Sequence, residues 1–183
     1  MKIYIGADHA GFALKEALKK FLKEKGHEVI DKGAFELNPE DDYPDFIEPV
    51  AEAVSKDPEN SRGIVIGGSG QGEAIDANRF KGVRAEVYYG GSPDSGLETV
   101  KLAREDNNAN VLSLAAMLIS EDEAKKAVEI FLSTSFEGGR HQRRDGCSVA
   151  PLRLASMVFA CRSPGLMSAR LAGMPLRKRW SAS

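Results

Sequence analysis

Cysteine is missing from the first 146 residues of this 183-residue chain, whose two cysteines are Cys147 and Cys161. The body therefore has no internal disulfide, no thiol nucleophile and no cysteine-based metal site. Long apolar runs are missing as well. None approaches the roughly 20 residues that a membrane span requires. The start, "MKIYIGADHAG", holds one lysine and a short apolar stretch, without the longer apolar core and small-residue cleavage site of a secretion signal. The expectation is a cytoplasmic protein with no membrane partner. Positive charge is scarce in the body: residues 1–144 carry 19 Lys and Arg against 26 Asp and Glu. An acidic body argues against nucleic acid as a partner. Residues 145–183 reverse the balance, with 6 basic residues and one acid, Asp145. Internal repeats are absent too.

What the sequence does contain is the composition of a folded domain, 42% apolar and 28% charged. Short β-rich runs alternate with helical patterns. "KIYIG", "HEVID", "GIVIG", "VRAEVYY" and "ANVLSL" read as five strands. Between them lie helical stretches, the first placing Phe12, Leu14, Leu18, Phe21 and Leu22 on one face and ending at Gly26. The stretch "SEDEAKKAVEIFLST" carries Ser120 as N-cap and Glu123 at the capping-box position. Alternating strands and helices predict an α/β protein: a three-layer α/β/α, Rossmann-like fold around a five-stranded parallel sheet. Residues 1–144 form the expected domain. Residues 145–183, rich in Ser, Ala, Gly and Arg without a clear period, read as an appended basic tail that is largely disordered.

Ligands of such sheets bind outside the carboxyl ends of the strands. That rule selects three connections: residues 6–11, 67–73 and 105–108. In "GADHAG", Asp8 and His9 stand where the first strand opens into a helix. The N–H groups there suit a phosphate or a hydroxyl-bearing ligand, although Asp8 can equally cap the helix. In "GGSGQGE", Gly67, Gly68, Gly70 and Gly72 let the backbone approach a ligand and aim N–H groups at it. Ser69 adds a hydroxyl. Glu73 follows in the first helical turn, a poor neighbour for a bound phosphate but a good one for a carbon acid that must lose a proton. It can also merely complement the helix dipole. A dinucleotide site is the rival for these glycines, with Asp31 as the acid, but "GADHAG" lacks the middle glycine of that fingerprint. Asn107 and Asn108 suit sugar hydroxyls or a turn. "EGGRHQRR" gathers Arg140, His141, Arg143 and Arg144, whose guanidinium forks match phosphate.

Together these stretches resemble the type B ribose-5-phosphate isomerase family, which also contains the galactose-6-phosphate isomerase subunits. The resemblance runs in order through "GADHAG", "VIDKGA", "DDYP", "GGSGQGEAIDANRFKGVRA", "REDNNANVL" and "EGGRHQRR", covering about residues 1–144. It implies interconversion of D-ribose 5-phosphate and D-ribulose 5-phosphate through a cis-enediolate, with no metal and no organic cofactor. Some family members use a cysteine base where this chain has Gly67. Others use a glutamate, and Glu73 matches that position. The resemblance further implies that amides from Gly68 to Gly72, with Ser69, hold the enediolate oxygen. One such donor contributes about 3 kcal/mol. Asp8 is implied to handle the sugar hydroxyls, Asn107 to hold a hydroxyl, and His9, Arg140 and Arg144 to grip the phosphate, with Tyr43 bordering the pocket. Family members are dimers with sites built from both subunits, so at least a homodimer, or a tetramer, is expected.

The chain departs from the family at three places. Asp106 stands where a ring-opening histidine is common, and an aspartate, with its ordinary pKa near 3.9, is a poor acid at neutral pH. Met117 stands where an arginine commonly touches the phosphate. The family's final helix gives way to an unlike tail after Arg144.

Overall fold

A computed structural model of the chain describes residues 1–91 and 96–148. Five strands and six helices follow in order: β1 (Lys2–Ala7), α1 (Phe12–Glu24), β2 (Glu28–Asp31), α2 (Pro44–Lys56), β3 (Ser61–Gly67), α3 (Gln71–Ala77), β4 (Ala85–Tyr88), α4 (Gly96–Asn107), β5 (Val111–Ala115), α5 (Glu121–Ser133) and α6 (Arg140–Ser148). The strands form one sheet in the order β2-β1-β3-β5-β4. Every pairing is parallel. The expected three-layer architecture is therefore present.

Helices cover both faces because the central strands are apolar on both. On β3, Ile64 and Ile66 point to one face and Val65 to the other, all fully buried. Ile64 and Ile66 pack with Ile3, Ile5, Leu18, Leu22, Leu112, Leu114 and Phe131 under α1, α4 and α5. Val65 packs with Val111, Ile47, Val50 and Val54 under α2, with Ala77 from α3. Truncating one of the large buried side chains, such as Phe131, costs about 3–5 kcal/mol. The capping box at Ser120 is complete: its hydroxyl accepts the Glu123 N–H at 3.3 Å and the Glu123 carboxylate accepts the Ser120 N–H at 2.9 Å.

Helix α1 differs from expectation. The fully buried large side chains of α1 are Lys15, Leu18 and Leu22, whereas Phe12, Leu14 and Phe21 are half-buried. Lys15 belongs to the core side because its ammonium has partners there. It lies 3.2 Å from both Asp31 oxygens and donates to the Ala34 carbonyl, with the rings of Phe12 and Phe35 flanking it. Helix α4 runs to Asn107. It stops where Asn108 turns left-handed, at φ 49°, with its side chain accepting from Arg104 at 3.1 Å.

Helix α6 carries the chain to Ser148, past the expected boundary at residue 144. The expectation of a disordered tail otherwise falls outside the described residues. Among the described residues, no helix is long and apolar enough to cross a membrane.

Candidate active site

At the carboxyl edge of the sheet, β3 turns sharply into α3. Gly70, the N-cap of α3, has φ 74°, and a Cβ there would sit 3.1–3.3 Å from Val87, Ser113 and the backbone of Ala115. Only glycine meets both demands without strain. The loop's carbonyls face β5. The Ser113 hydroxyl donates to Gly70 at 2.6 Å, and the amides of Ala116 and Met117 donate to Gly67 and Gly68 at 2.9 and 3.1 Å. With the carbonyls engaged there, the amides of Gly68, Ser69, Gly70 and Gly72 make no hydrogen bond to another described residue. They form a concave set of donors fit for an anionic oxygen.

Glu73 occupies the third position of α3 and is 5% exposed. Its carboxylate lies against Gly67: a Cβ added at that glycine would fall 1.8 Å from Oε1 and 2.2 Å from Cδ. Gly67 leaves the space that this carboxylate fills. The other oxygen, Oε2, is buried without a hydrogen-bond partner. Burial raises the Glu73 pKa above the ordinary carboxylate value, its own backbone N–H opposes this, and the negative charge of Asp8 adds to the rise. Burial thus outweighs this N–H contact, and the group is moved toward the range of a working base.

The β1–α1 connection brings Asp8 and His9 to the same edge. Asp8 is buried, and its Oδ1 accepts the Gly11 N–H at 3.0 Å; this fixes the turn before α1, whose N-cap is Gly11 without a side-chain cap. His9 is held by Asp41, whose Oδ1 accepts the His9 backbone N–H at 3.1 Å and lies 2.6 Å from Nδ1. That hydrogen bond raises the histidine pKa, burial opposes it, and the Asp8 charge adds a smaller push upward. Asp41 escaped the sequence reading, although it stands in "DDYP". Tyr43, two residues on, packs its ring over Gly72, where a Cβ would lie 3.2–3.4 Å from Cζ, the hydroxyl and Cε1. Met117 lies over Gly68 and is 75% exposed. Asp31 faces the Lys15 ammonium and accepts the Gly33 N–H at 2.9 Å, which leaves no free carboxylate for a nucleotide ribose.

The remaining expected site residues are elsewhere. Residues 105–108 connect a helix to a strand, not a strand to a helix, so they lie at the amino edge of the sheet. Placing them with 6–11 and 67–73 is corrected on that ground: α4 runs antiparallel to the strands and ends where β5 begins. The same edge gathers the start of α6, since the Glu137 N–H bonds the Glu105 carbonyl at 3.1 Å. Buried His141 has Nε2 3.4 Å from Asp106, and that nitrogen accepts from Arg140 Nε at 2.9 Å. Asn107, Arg140 and Arg144 are exposed. Asp106, Glu137 and His141 bring ligand atoms within 4.8 Å of one another, the one metal-like grouping among the described residues. The Arg140 guanidinium occupies the lone pair such a metal would need and repels a cation there.

The carboxyl edge holds a buried carboxylate and amide donors, and the amino edge holds exposed arginine and amide side chains.

Comparison with known proteins accords with this geometry. A family model described as Ribose/Galactose Isomerase matches residues 3–146. Ribose-5-phosphate isomerase B of Mycobacterium leprae is 42% identical over 145 residues, covering 79% of this chain and 85% of that protein. Ribose-5-phosphate isomerase B of Mycoplasma genitalium, solved with bound ribulose-5-phosphate, is 40% identical with a TM-score of 0.76, over 81% of this chain and 93% of that one. The Clostridium thermocellum ribose-5-phosphate isomerase B structure is 42% identical with a TM-score of 0.74, over 81% and 95%.

Proposed function

The chain belongs to the ribose/galactose isomerase family, and from that membership we propose that it interconverts D-ribose 5-phosphate and D-ribulose 5-phosphate. The observation that carries the reading is Glu73: buried, with one unpartnered oxygen and a raised pKa, lodged in the space left by Gly67 beside a set of free amides. Glu73 takes the proton from C2 of the open-chain aldose and returns it to C1. The O2 proton leaves as C2 becomes a carbonyl, and O1 gains a proton as C1 becomes an alcohol. Asp8 mediates this exchange between the oxygens. The amides of Gly68, Ser69, Gly70 and Gly72 hold the enediolate oxygen, one such donor being worth about 3 kcal/mol. Relatives that act on or bind these pentose phosphates support the substrate class.

The working unit is a homodimer with composite sites. His9 grips the phosphate from the carboxyl edge of one subunit, and Asn107, Arg140 and Arg144 close the pocket from the amino edge of the other. The topology supports this, because one chain holds the two groups at opposite edges of its sheet. We read the enzyme as a cytoplasmic participant in pentose phosphate metabolism.

An isomerase assay on the purified protein and on Glu73→Gln tests the chemistry. Unchanged turnover in that variant removes the base assignment. Mixing Glu73→Gln with Arg140→Ala tests the composite site. Random exchange of subunits leaves one intact site in every mixed dimer, so roughly a quarter of wild-type activity returns. No recovery after verified exchange refutes the sharing. The same assay on galactose 6-phosphate decides between pentose and hexose.

A further inference from the structure

The loop after β2 reaches both other loops of the carboxyl edge. Tyr43 rests on Gly72, and Asp41 holds His9 twice, through the backbone N–H and through Nδ1. The Asp41 side chain is 6% exposed and the His9 side chain 38%. Both contacts fall on Oδ1, while Oδ2 is buried without a hydrogen-bond partner. A half-satisfied buried carboxylate is costly unless a cation faces it. The ring of His9 is the group in place to be that cation. With Nδ1 turned to Asp41, Nε2–H lies on the far side of the ring, a donor with a fixed direction.

We propose that Asp41 is a positioning residue for phosphate recognition, holding the His9 imidazole as a cation with Nε2–H directed at the phosphate group of the substrate. The proposal rests on the isomerase reading above. Asp41 touches no substrate and acts through His9. Among the described residues, the charged groups acting on the ring are Asp41, from the loop after β2, and Asp8, from the same loop as His9. Both favour the protonated form, so the cation persists to higher pH than in an ordinary histidine. The grip on phosphate is accordingly lost as pH rises through the elevated pKa.

Asp41→Asn keeps an acceptor at Oδ1 and removes the charge. Two measurements follow. First, NMR titration of the histidine ring signals, with the His9 signal assigned by its loss in His9→Gln, reads the midpoint directly and then with inorganic phosphate as the probe. The midpoint falls in Asp41→Asn, and phosphate at pH 8 shifts the His9 signal in the wild type but much less in the variant. Second, KM for ribose 5-phosphate rises about tenfold at pH 8 in Asp41→Asn and returns toward the wild-type value at pH 6, as for loss of a charge-assisted contact. In this variant kcat changes far less than KM. An unmoved midpoint overturns the proposal, as does a KM defect equal at all pH values. If Asp41→Asn does not fold, His9→Gln still decides: an alkaline rise of KM that survives this substitution overturns the proposal. Should the wild type prove inactive on every sugar phosphate, the isomerase reading falls alone. The inorganic-phosphate titration then decides whether Asp41 sets the anion affinity of His9.

Discussion

Replacing Gly67 with alanine adds one methyl group at the point where the base sits. The three atoms nearest the new Cβ all belong to Glu73: Oε1 at 1.8 Å, Cδ at 2.2 Å and Cγ at 3.0 Å. Ordinary contact begins near 3.5 Å, so the carboxylate must retreat by more than about 1.5 Å. None of these three atoms is backbone, and the obstacle is the end of a flexible side chain. The fold should therefore survive, with a thermal midpoint close to wild type. Turnover should not. Misplacing a reacting group by about 1 Å costs on the order of 100-fold, or about 2.7 kcal/mol of barrier. KM should change little, because Asp8, His9 and the amides stay in place. The displaced carboxylate also leaves its dry slot, so the acid limb of the kcat–pH profile moves to lower pH, toward that of an ordinary glutamate. Steady-state rates of ribulose 5-phosphate formation across pH give both numbers. Adding Gly67→Ala to Glu73→Gln should cost almost nothing more, because the methyl acts through the carboxylate alone. A Gly67→Ala enzyme with kcat within about threefold of wild type would refute the reasoning, since Glu73 would then not need this slot.

Other expectations follow from the same geometry. Glu73→Gln lowers kcat by about 10²–10⁴. It also stabilises the fold at neutral pH, because a raised native pKa means that the ionised carboxylate opposes folding. That gain vanishes below the ordinary glutamate pKa, where the group is protonated in both states, and thermal melts at the two pH values read the difference. Asp8→Asn removes the neighbouring charge that helps to raise Glu73. The acid limb of kcat therefore moves to lower pH even as the maximum falls, and an unmoved limb contradicts the coupling. Asp106→His supplies a ring-opening acid at this half-buried amino-edge position and raises turnover on the ring-closed sugar. Equal rates for the two enzymes on that substrate would remove position 106 from ring opening.

The parts of the structure that were legible in the sequence are those fixed by local rules. Strand and helix alternation, the Ser120 capping box and the glycine-rich turn all depend on residues a few positions apart. What escaped depends on partners distant in the chain. Lys15 looks like a misplaced charge on an apolar face until Asp31, at the end of the next strand, and the Ala34 carbonyl just past it are known to meet it. Asp41 looks like one acid among several in a polar loop, and its selection by His9 is set 32 residues away. Gly67 reads in the sequence as one of four glycines that let a ligand approach, whereas the structure shows the volume it leaves to a side chain six residues on. The position of 105–108 depends on chain direction instead. In a parallel sheet, a connection from strand to helix lies at the carboxyl edge, and one from helix to strand lies at the amino edge. "GADHAG" and "GGSGQGE" are of the first type; "REDNNANV" is of the second, and "EGGRHQRR" joins it by following a helix that runs back to that edge. Chain direction alone thus separates motifs that the proposed reaction requires around one sugar phosphate. Motifs at opposite edges of one sheet can share a substrate only when a second copy brings its amino edge to the carboxyl edge of the first. A two-fold pairing does this for both sites at once and leaves neither half-built.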